Sequence, residues 1–492
     1  MDQRTPRRYR SYVGTVKVIN KAYHMKFYGA EMKNTRVGKE QSVKLQEKIR
    51  QNSIVGFLLV SAGILLAASA GGWDIANHLL NKPESFFSPP HAALYSGVGL
   101  VIIGAILIYI GRSIIRGRKS RNATHHTQRL KAVIQVVSAS YSSSPPLSVK
   151  LVYLGVTLLV SAGPFDFVWH STFGLDGLLS PPHAVLTIGM TLCSIGSFLG
   201  ILSTSKDLVY GTKSNGRDIN AKKINGFVTN NLTLSDNSRI REISTTRLHN
   251  KSLRPAFVIM GILPVWLTIS GLVHMATLPF SDTPFFNFNP DPIVAVVIAT
   301  ICFPFLIALI LFSSSRLCVN ESANLITGHK SVTSWKKNKG IPFGMLSVTG
   351  LAFIVVNILT SILPNEYLIP TLPFYILNIL PILAADILLS KGSLHNRNHN
   401  FSKQMANYLA GAILGLAFFT LYFPLITHTY NEALPNPGPV WPSLTITIYF
   451  KMINEVSVFI IAPAMTMGIF GVVVASHLLD HERRKLTTSE LA

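Results

Sequence analysis

The residues of this sequence whose types and spacing best fit a chemical role are an aspartate and two histidines that occur together twice. In each set the aspartate and the first histidine are four residues apart, and the second histidine follows 13 residues later. Residues four apart share one face of a helix. The sequence Ser-Pro-Pro directly precedes the last histidine, and because prolines end one helix and start the next, that histidine returns across a hairpin to the other two. The sets are Asp74, His78 and His91, and Asp166, His170 and His183.

Each set predicts a metal site with three protein ligands and an open coordination position. Two imidazoles and one carboxylate suit copper, non-haem iron or zinc, and ligand type alone does not choose among these metals. The acidic residue between the histidines, Glu84 in the first set and Asp176 in the second, is expected to orient an imidazole or to relay a proton. The sequence leaves one alternative open, which is a buried Asp–His hydrogen bond in a proline-rich hairpin without metal.

The two sets belong to longer segments that align at an offset of 92 residues, WDIANHLLNKPESFFSPPH (73–91) and FDFVWHSTFGLDGLLSPPH (165–183). This agreement predicts an internal repeat of two helix pairs, 54–112 and 148–203. Such repeats at membrane depth are common in transporters and channels as well as in enzymes. A third pair holds a decayed version, since His274 and Asp291 keep the 17-residue spacing with the residue types exchanged.

The elements that position these residues are predicted to be transmembrane helices. The chain has 492 residues, of which 48% are hydrophobic and 13% charged, and its mean hydropathy is +0.38. This composition excludes a set of soluble domains and favours a multi-pass membrane protein. We expect an all-α polytopic fold of about ten transmembrane helices in five antiparallel hairpins. The predicted spans are 54–72, 91–112, 148–164, 183–203, 255–279, 292–315, 341–364, 367–390, 407–427 and 449–477.

The basic residues predict the orientation of these helices. There are 44 Lys+Arg against 22 Asp+Glu, a net charge of +22, and 42 of the 44 lie in the N-terminal arm, the long loops and the C-terminal tail. The positive-inside rule places these segments in the cytoplasm and the short acidic loops, with the Asp–His–His sets, near the outer face of the cell membrane. We therefore assign the positive charge to topology and to contact with lipid headgroups, and expect no nucleic-acid partner. The predicted regions are a basic cytoplasmic arm (1–50), the duplicated metal-site region (51–205), a cytoplasmic loop (206–254), six further transmembrane helices (255–477) and a cytoplasmic tail (478–492).

The second segment resembles the metal-site signature of the C subunit of the copper-containing membrane monooxygenases, the particulate methane and ammonia monooxygenases. The resemblance implies a copper site at Asp166, His170 and His183, with Trp169 and Asp176 as part of the signature. The first segment matches at the Asp, at both His and at one Pro, but has Asn77 in place of the Trp and Glu84 in place of the Asp. The matching residues are Asp166, Trp169, His170, Asp176, Pro181 and His183, in the pattern D-x-x-W-H-x5-D-x4-P-x-H.

The chain departs from this family in its greater length and in its two signatures. The family also works with partner subunits, so the resemblance implies such partners as well as a small-molecule substrate that arrives through the bilayer. We expect a membrane metalloprotein that activates O2 at copper, with iron and zinc as alternatives and with electrons from a partner or a quinol. Two other functions stay open, a metal-ion transporter or delivery protein and a non-catalytic subunit of a membrane complex.

Two acidic residues lie inside apolar spans far from both sets. Asp386 and Glu455 are predicted either to form a proton or ion path or to make polar contacts that lock two helices together. His477 is predicted to lie on the solvated surface at the end of the last helix.

Overall fold

The computed structural model describes residues 51–74, 88–121, 145–173, 180–223, 236–277, 292–326, 343–363, 369, 372–391, 400–421 and 457–491. These ranges are almost entirely helical and contain no strand, as expected for an all-α fold. The helices are α1 (Gln51–Asp74), α2 (Pro89–Arg121), α3 (Leu147–Phe173), α4 (Pro181–Lys223), α5 (Asp236–Thr277), α6 (Pro292–Ile326), α7 (Met345–Asn357), α8 (Leu372–Leu377), α9 (Ile379–Lys391), α10 (Asn400–Leu421) and α11 (Ser457–Leu491).

Seven helices within the described ranges are long and apolar enough to cross a membrane. This supports the predicted multi-pass membrane protein, while the total of ten spans stays a prediction. Two shorter apolar helical segments, Met345–Thr360 and Tyr375–Ser390, fall inside two further predicted spans. The seven are Gln51–Asp74, Pro89–Arg112, Leu147–Phe173, Pro181–Thr204, Pro255–Thr277, Val297–Leu317 and Ile460–Asp480.

Glycines allow α1 to lie directly against α2, and α3 against α4. A methyl group on Gly63 would lie 2.6 Å from the carbonyl oxygen of Gly97, and one on Gly155 would lie 2.7 Å from that of Gly189. Small residues of this kind let the backbones of membrane helices approach closely. The two contacts are related by the same offset of 92 residues as the Asp–His–His segments. The origin of the two hairpins by duplication stays a prediction.

The buried side chains form two clusters. Side chains of α1 to α4 build one, in which Phe57, Ile64 and Cys193 pack together. Side chains of α5 to α11 build the other, where the Trp266 ring stacks on Phe353 with centroids 3.7 Å apart. The chain divides into two compact units. The smaller one is Met1–Ser53 with Tyr109–His126, and the larger one is Ile54–Ile108 with Thr127–Ala492. Both clusters and all the site residues below belong to the larger unit.

Several helix ends differ from the predicted spans. Helices α4, α5 and α6 continue well beyond the apolar stretches, because hydropathy marks the part that can lie in hydrocarbon and not the end of the helix. The predicted span 367–390 is interrupted by a turn at the buried Asn378. Pro381 explains the interruption, since its ring nitrogen cannot donate a hydrogen bond to the carbonyl of Leu377, the last residue of α8. A π-helical turn, Ile358–Ile362, extends α7.

Candidate metal site

The start of α4 fixes the position of His183. Ser180 precedes the helix, Pro181 and Pro182 are its first two residues, and His183 is the third. The Ser180 hydroxyl accepts a hydrogen bond of 3.4 Å from the backbone N–H of His183, which is the bond of a helix N-cap to the third helical residue. Proline suits the first helical position, where no backbone N–H is needed. The Ser-Pro-Pro-His sequence therefore sets where the helix begins and where its histidine lies.

The second set comes together as a compact group of ligand atoms. Oδ1 of Asp166 lies 3.3 Å from Nε2 of His170 on the same helix and 3.5 Å from Nε2 of His183 on the next helix. The three ligand atoms all lie within 4.8 Å of one another, so they can bind a single ion. The three side chains are partly exposed, between 21% and 36% of their surface.

The spacing fits a metal better than it fits hydrogen bonds. In a tetrahedral site with metal–ligand bonds of about 2.0–2.1 Å, neighbouring ligand atoms are about 3.3–3.4 Å apart. A charge-assisted hydrogen bond between imidazole and carboxylate would instead be about 2.7–2.9 Å long. Oδ1 of Asp166 is itself buried and accepts no hydrogen bond of ordinary geometry. A cation at this point would bind a carboxylate oxygen that the protein leaves unsatisfied.

The first set is described in part. Nε2 of His91 lies 3.1 Å from Oδ1 of Asp74, so the structure brings these two ligands together across α1 and α2. His91 is the third residue of α2, after Ser88, Pro89 and Pro90, as His183 is of α4. His78, Glu84 and Asp176 lie outside the described residues, so the roles assigned to them stay predictions.

Aromatic side chains flank the second set along α3. The Trp169 ring lies 4.5 Å from that of Phe173 and 6.1 Å from that of Phe165, measured between ring centroids. Phe165, Phe167 and Phe173 are 40%, 60% and 40% exposed. The end of α3 that bears Asp166 and His170 therefore presents an apolar surface, which in a membrane faces lipid.

One residue near the site has no counterpart in the sequence prediction. Tyr95, one helical turn after His91, interacts electrostatically with both Asp74 and Asp166, and Asp166 also interacts with His91. The two sets are thus neighbours in the folded chain. The sequence feature that could have identified Tyr95 is its four-residue spacing from His91. The same spacing relates each aspartate to its first histidine.

Asp386 makes the contacts expected of a residue that locks two helices together. It lies buried on α9, and its Oδ2 accepts hydrogen bonds from the backbone N–H groups of Gly344 and Ser347 and from the Ser347 hydroxyl. The carboxylate thereby satisfies donors at the N-terminus of α7, where a negative charge is favourable. Glu455 lies outside the described residues. His477 is exposed on α11, and its place on the solvated surface stays a prediction.

Comparisons with protein families, with curated proteins and with solved structures find no match to this chain.

Proposed function

We propose that this protein is an integral membrane metalloprotein that binds copper at Asp166, His170 and His183 and hydroxylates a small apolar molecule with O2. The observation that carries the proposal is the unsatisfied Oδ1 of Asp166 at 3.3 and 3.5 Å from two imidazole nitrogens. One carboxylate and two neutral imidazoles suit copper and leave coordination positions open for a further ligand. The resemblance of the Asp166–His183 segment to the copper monooxygenase signature supports copper over iron and zinc.

The residues around the group suit an apolar substrate that arrives through the bilayer. When bound, copper would supply the one-electron chemistry that activation of O2 requires. Asp166 contributes the negative charge of the ligand set, and the aromatic surface of Phe165, Trp169 and Phe173 offers an approach from the lipid. Hydroxylation with O2 consumes two electrons and two protons and releases water with the alcohol. We assign the electrons to a quinol or to a partner subunit of the membrane complex.

The charge distribution supports a position of this site near the outer membrane face. The basic residues are concentrated in the termini and in the loops at the other ends of the helices, and the positive-inside rule assigns those ends to the cytoplasm. We therefore propose that the protein lies in the cell membrane and that both of its termini are in the cytoplasm.

A second function, capture and delivery of a metal ion, is favoured by the exposure of the ligands. Side chains that are 21% to 36% exposed can exchange an ion with a partner more readily than a sealed site can. In this alternative the same three residues bind the ion transiently, and no oxygen chemistry follows.

Metal analysis of the purified full chain tests metal binding at Asp166, His170 and His183, which both functions require. We expect bound copper in the wild type, a lower copper content in His170→Ala and His183→Ala, and an unchanged content in His477→Ala, which removes an exposed histidine outside the ligand group. A wild type that binds neither copper, iron nor zinc would overturn both functions.

Oxygen uptake then separates the two functions. Hydroxylation predicts O2 consumption and alcohol formation from a small alkane with a quinol as reductant, and both should be abolished in His183→Ala. Retained copper without O2 uptake, together with transfer of the ion to an acceptor chelator, would favour capture and delivery.

A further inference from the structure

We propose that the Asp74–His91 pair and the Asp166–His170–His183 group form one centre for two metal ions, with Tyr95, one helical turn after His91, as its positioning residue. This inference rests on the proposed metal binding at Asp166 and extends it to a second ion. The ligand class is the same, a divalent transition metal bound by imidazole and carboxylate.

The packing of α1 against α4 puts both ligand sets at one depth. The backbone of Gly200 lies directly against the Phe57 ring. Asp74 is 17 residues further along α1 than Phe57, and His183 is 17 residues before Gly200 on α4, which runs in the opposite direction. At a rise of 1.5 Å per residue, each distance is about 25 Å along its helix. Asp74 and His183 therefore lie level with each other at the same end of the helices.

Coulombic interactions also act between the two sets. His91, a ligand of the first set, interacts with Asp166 of the second, and Tyr95 interacts with the carboxylates of both. The rings of His91 and Tyr95 are 6.2 Å apart, one turn along α2. The corresponding position of the second hairpin, 92 residues later, is Thr187, whose hydroxyl donates a hydrogen bond to the backbone oxygen of His183 instead. Only the first hairpin therefore has a tyrosine at this position, and that tyrosine interacts with the aspartates of both sets.

The Asp74–His91 geometry is compatible with an ion of its own. Their 3.1 Å separation is close to the spacing of neighbouring ligand atoms around a small divalent ion, about 3.0–3.4 Å for bonds of about 2.1 Å. A charged carboxylate at a membrane edge is costly, and a cation bound at each of the two offsets that cost. Two nearby cations in turn repel, so we expect the two ions to bind with unequal affinity.

Tyr95 is a positioning residue in this centre. Its hydroxyl carries one proton, so it can donate to only one carboxylate at a time and makes the two sites unequal. We expect Tyr95→Phe to change the ratio of the two affinities by about threefold to tenfold, an effect that a hydrogen bond of ordinary strength accounts for. The melting temperature of the metal-free protein should stay unchanged. The matched control is Tyr109→Phe, an exposed tyrosine of the same helix.

Titration of the purified full chain with Cu²⁺ tests the two-ion centre. We expect two ions per chain, and an electron paramagnetic resonance spectrum that broadens by dipolar interaction as the second ion binds. Asp74→Asn and His91→Ala should each remove the ion of the first set and leave one ion with a sharp spectrum. His183→Ala should remove the ion of the second set and also leave one ion with a sharp spectrum. Two ions without magnetic interaction, or one ion whose binding is unchanged in Asp74→Asn, would overturn the centre and leave the proposed function standing. Absence of bound copper from the wild type would instead overturn the proposed function.

Discussion

Nε2 of His183, in the first turn of α4, lies 3.5 Å from Oδ1 of Asp166, near the end of α3. A ligand group divided between two helices depends on where the second helix begins. The Ser180 hydroxyl and the two prolines after it set that beginning, so the capping sequence belongs to the proposed metal site although none of its atoms would be a ligand.

Ser180→Ala should therefore weaken metal binding without removing a ligand. Loss of an N-cap hydroxyl costs about 1 kcal/mol, and if most of that cost falls on the placement of His183, copper affinity should fall about fivefold. A competition titration against a chelator measures the change. The control is Ser203→Ala, which removes a hydroxyl bonded to the backbone oxygen of Gly200 on the same helix, away from the site. Equal effects of the two substitutions would contradict a role for the cap.

The ligand group could be predicted from the sequence because its spacing reflects local geometry. A four-residue interval fixes two side chains on one helical face, and Ser-Pro-Pro fixes the start of the next helix, so Asp166, His170 and His183 converge as expected. The proximity of the two sets could not be predicted in this way. It depends on how α1 packs against α4, through contacts such as Phe57 with Gly200, for which a single sequence carries no periodic signal.

Asp386→Ala should destabilise the protein strongly and leave its copper content unchanged. The substitution removes the acceptor of three hydrogen bonds at the start of α7, and each bond to a charged group contributes about 1.5–3 kcal/mol. We expect the free energy of unfolding in detergent to fall by about 3 kcal/mol or more. Asp386→Asn, which keeps one acceptor oxygen, should lose less, and Asp480→Ala at an exposed site should lose little.

The opposite result would favour the proton-path alternative for Asp386. If Asp386→Ala leaves the unfolding free energy unchanged while an ion-dependent activity is lost, the carboxylate serves transport and not the packing of α7 on α9. The sequence left these alternatives open because an acidic residue in an apolar span satisfies both. The hydrogen-bond partners, Gly344 and Ser347, are about 40 residues away along the chain and carry no motif that identifies them.

Substitutions of two glycines on α3 should have contrasting effects. A methyl group on Gly155 would lie 2.6 Å from Sγ of Cys193, so Gly155→Ala forces α3 and α4 apart at a cost of about 1–3 kcal/mol. Gly163 has no atom within 4 Å of the corresponding position, so Gly163→Ala should be neutral or slightly stabilising through its better helix propensity. Thermal unfolding in detergent measures both. No loss of stability in Gly155→Ala would contradict the close contact of α3 with α4 at that residue.

The helices themselves could be predicted from hydropathy, whereas the positions at which they are interrupted depend on single residues. Long apolar stretches must satisfy their backbone hydrogen bonds internally, so helices follow directly from composition. The turn at Asn378 arises from Pro381, and many prolines in membrane helices cause no such break. Pro164 in α3 and Pro463 in α11 are examples, since both lie inside continuous helices.

Removal of the metal should lower thermal stability through the link between α3 and α4. An ion bound only by the folded state stabilises it by about 2.7 kcal/mol when its free concentration is one hundred times its dissociation constant. We expect the melting temperature of the copper-loaded protein to fall on treatment with a chelator and to recover when copper is restored. His183→Ala should reduce the difference between the loaded and chelated states, because the ion at Asp166 then lacks its ligand on α4. His477→Ala should keep the full difference. A chelator effect of equal size in His183→Ala would place the stabilising ion elsewhere in the chain.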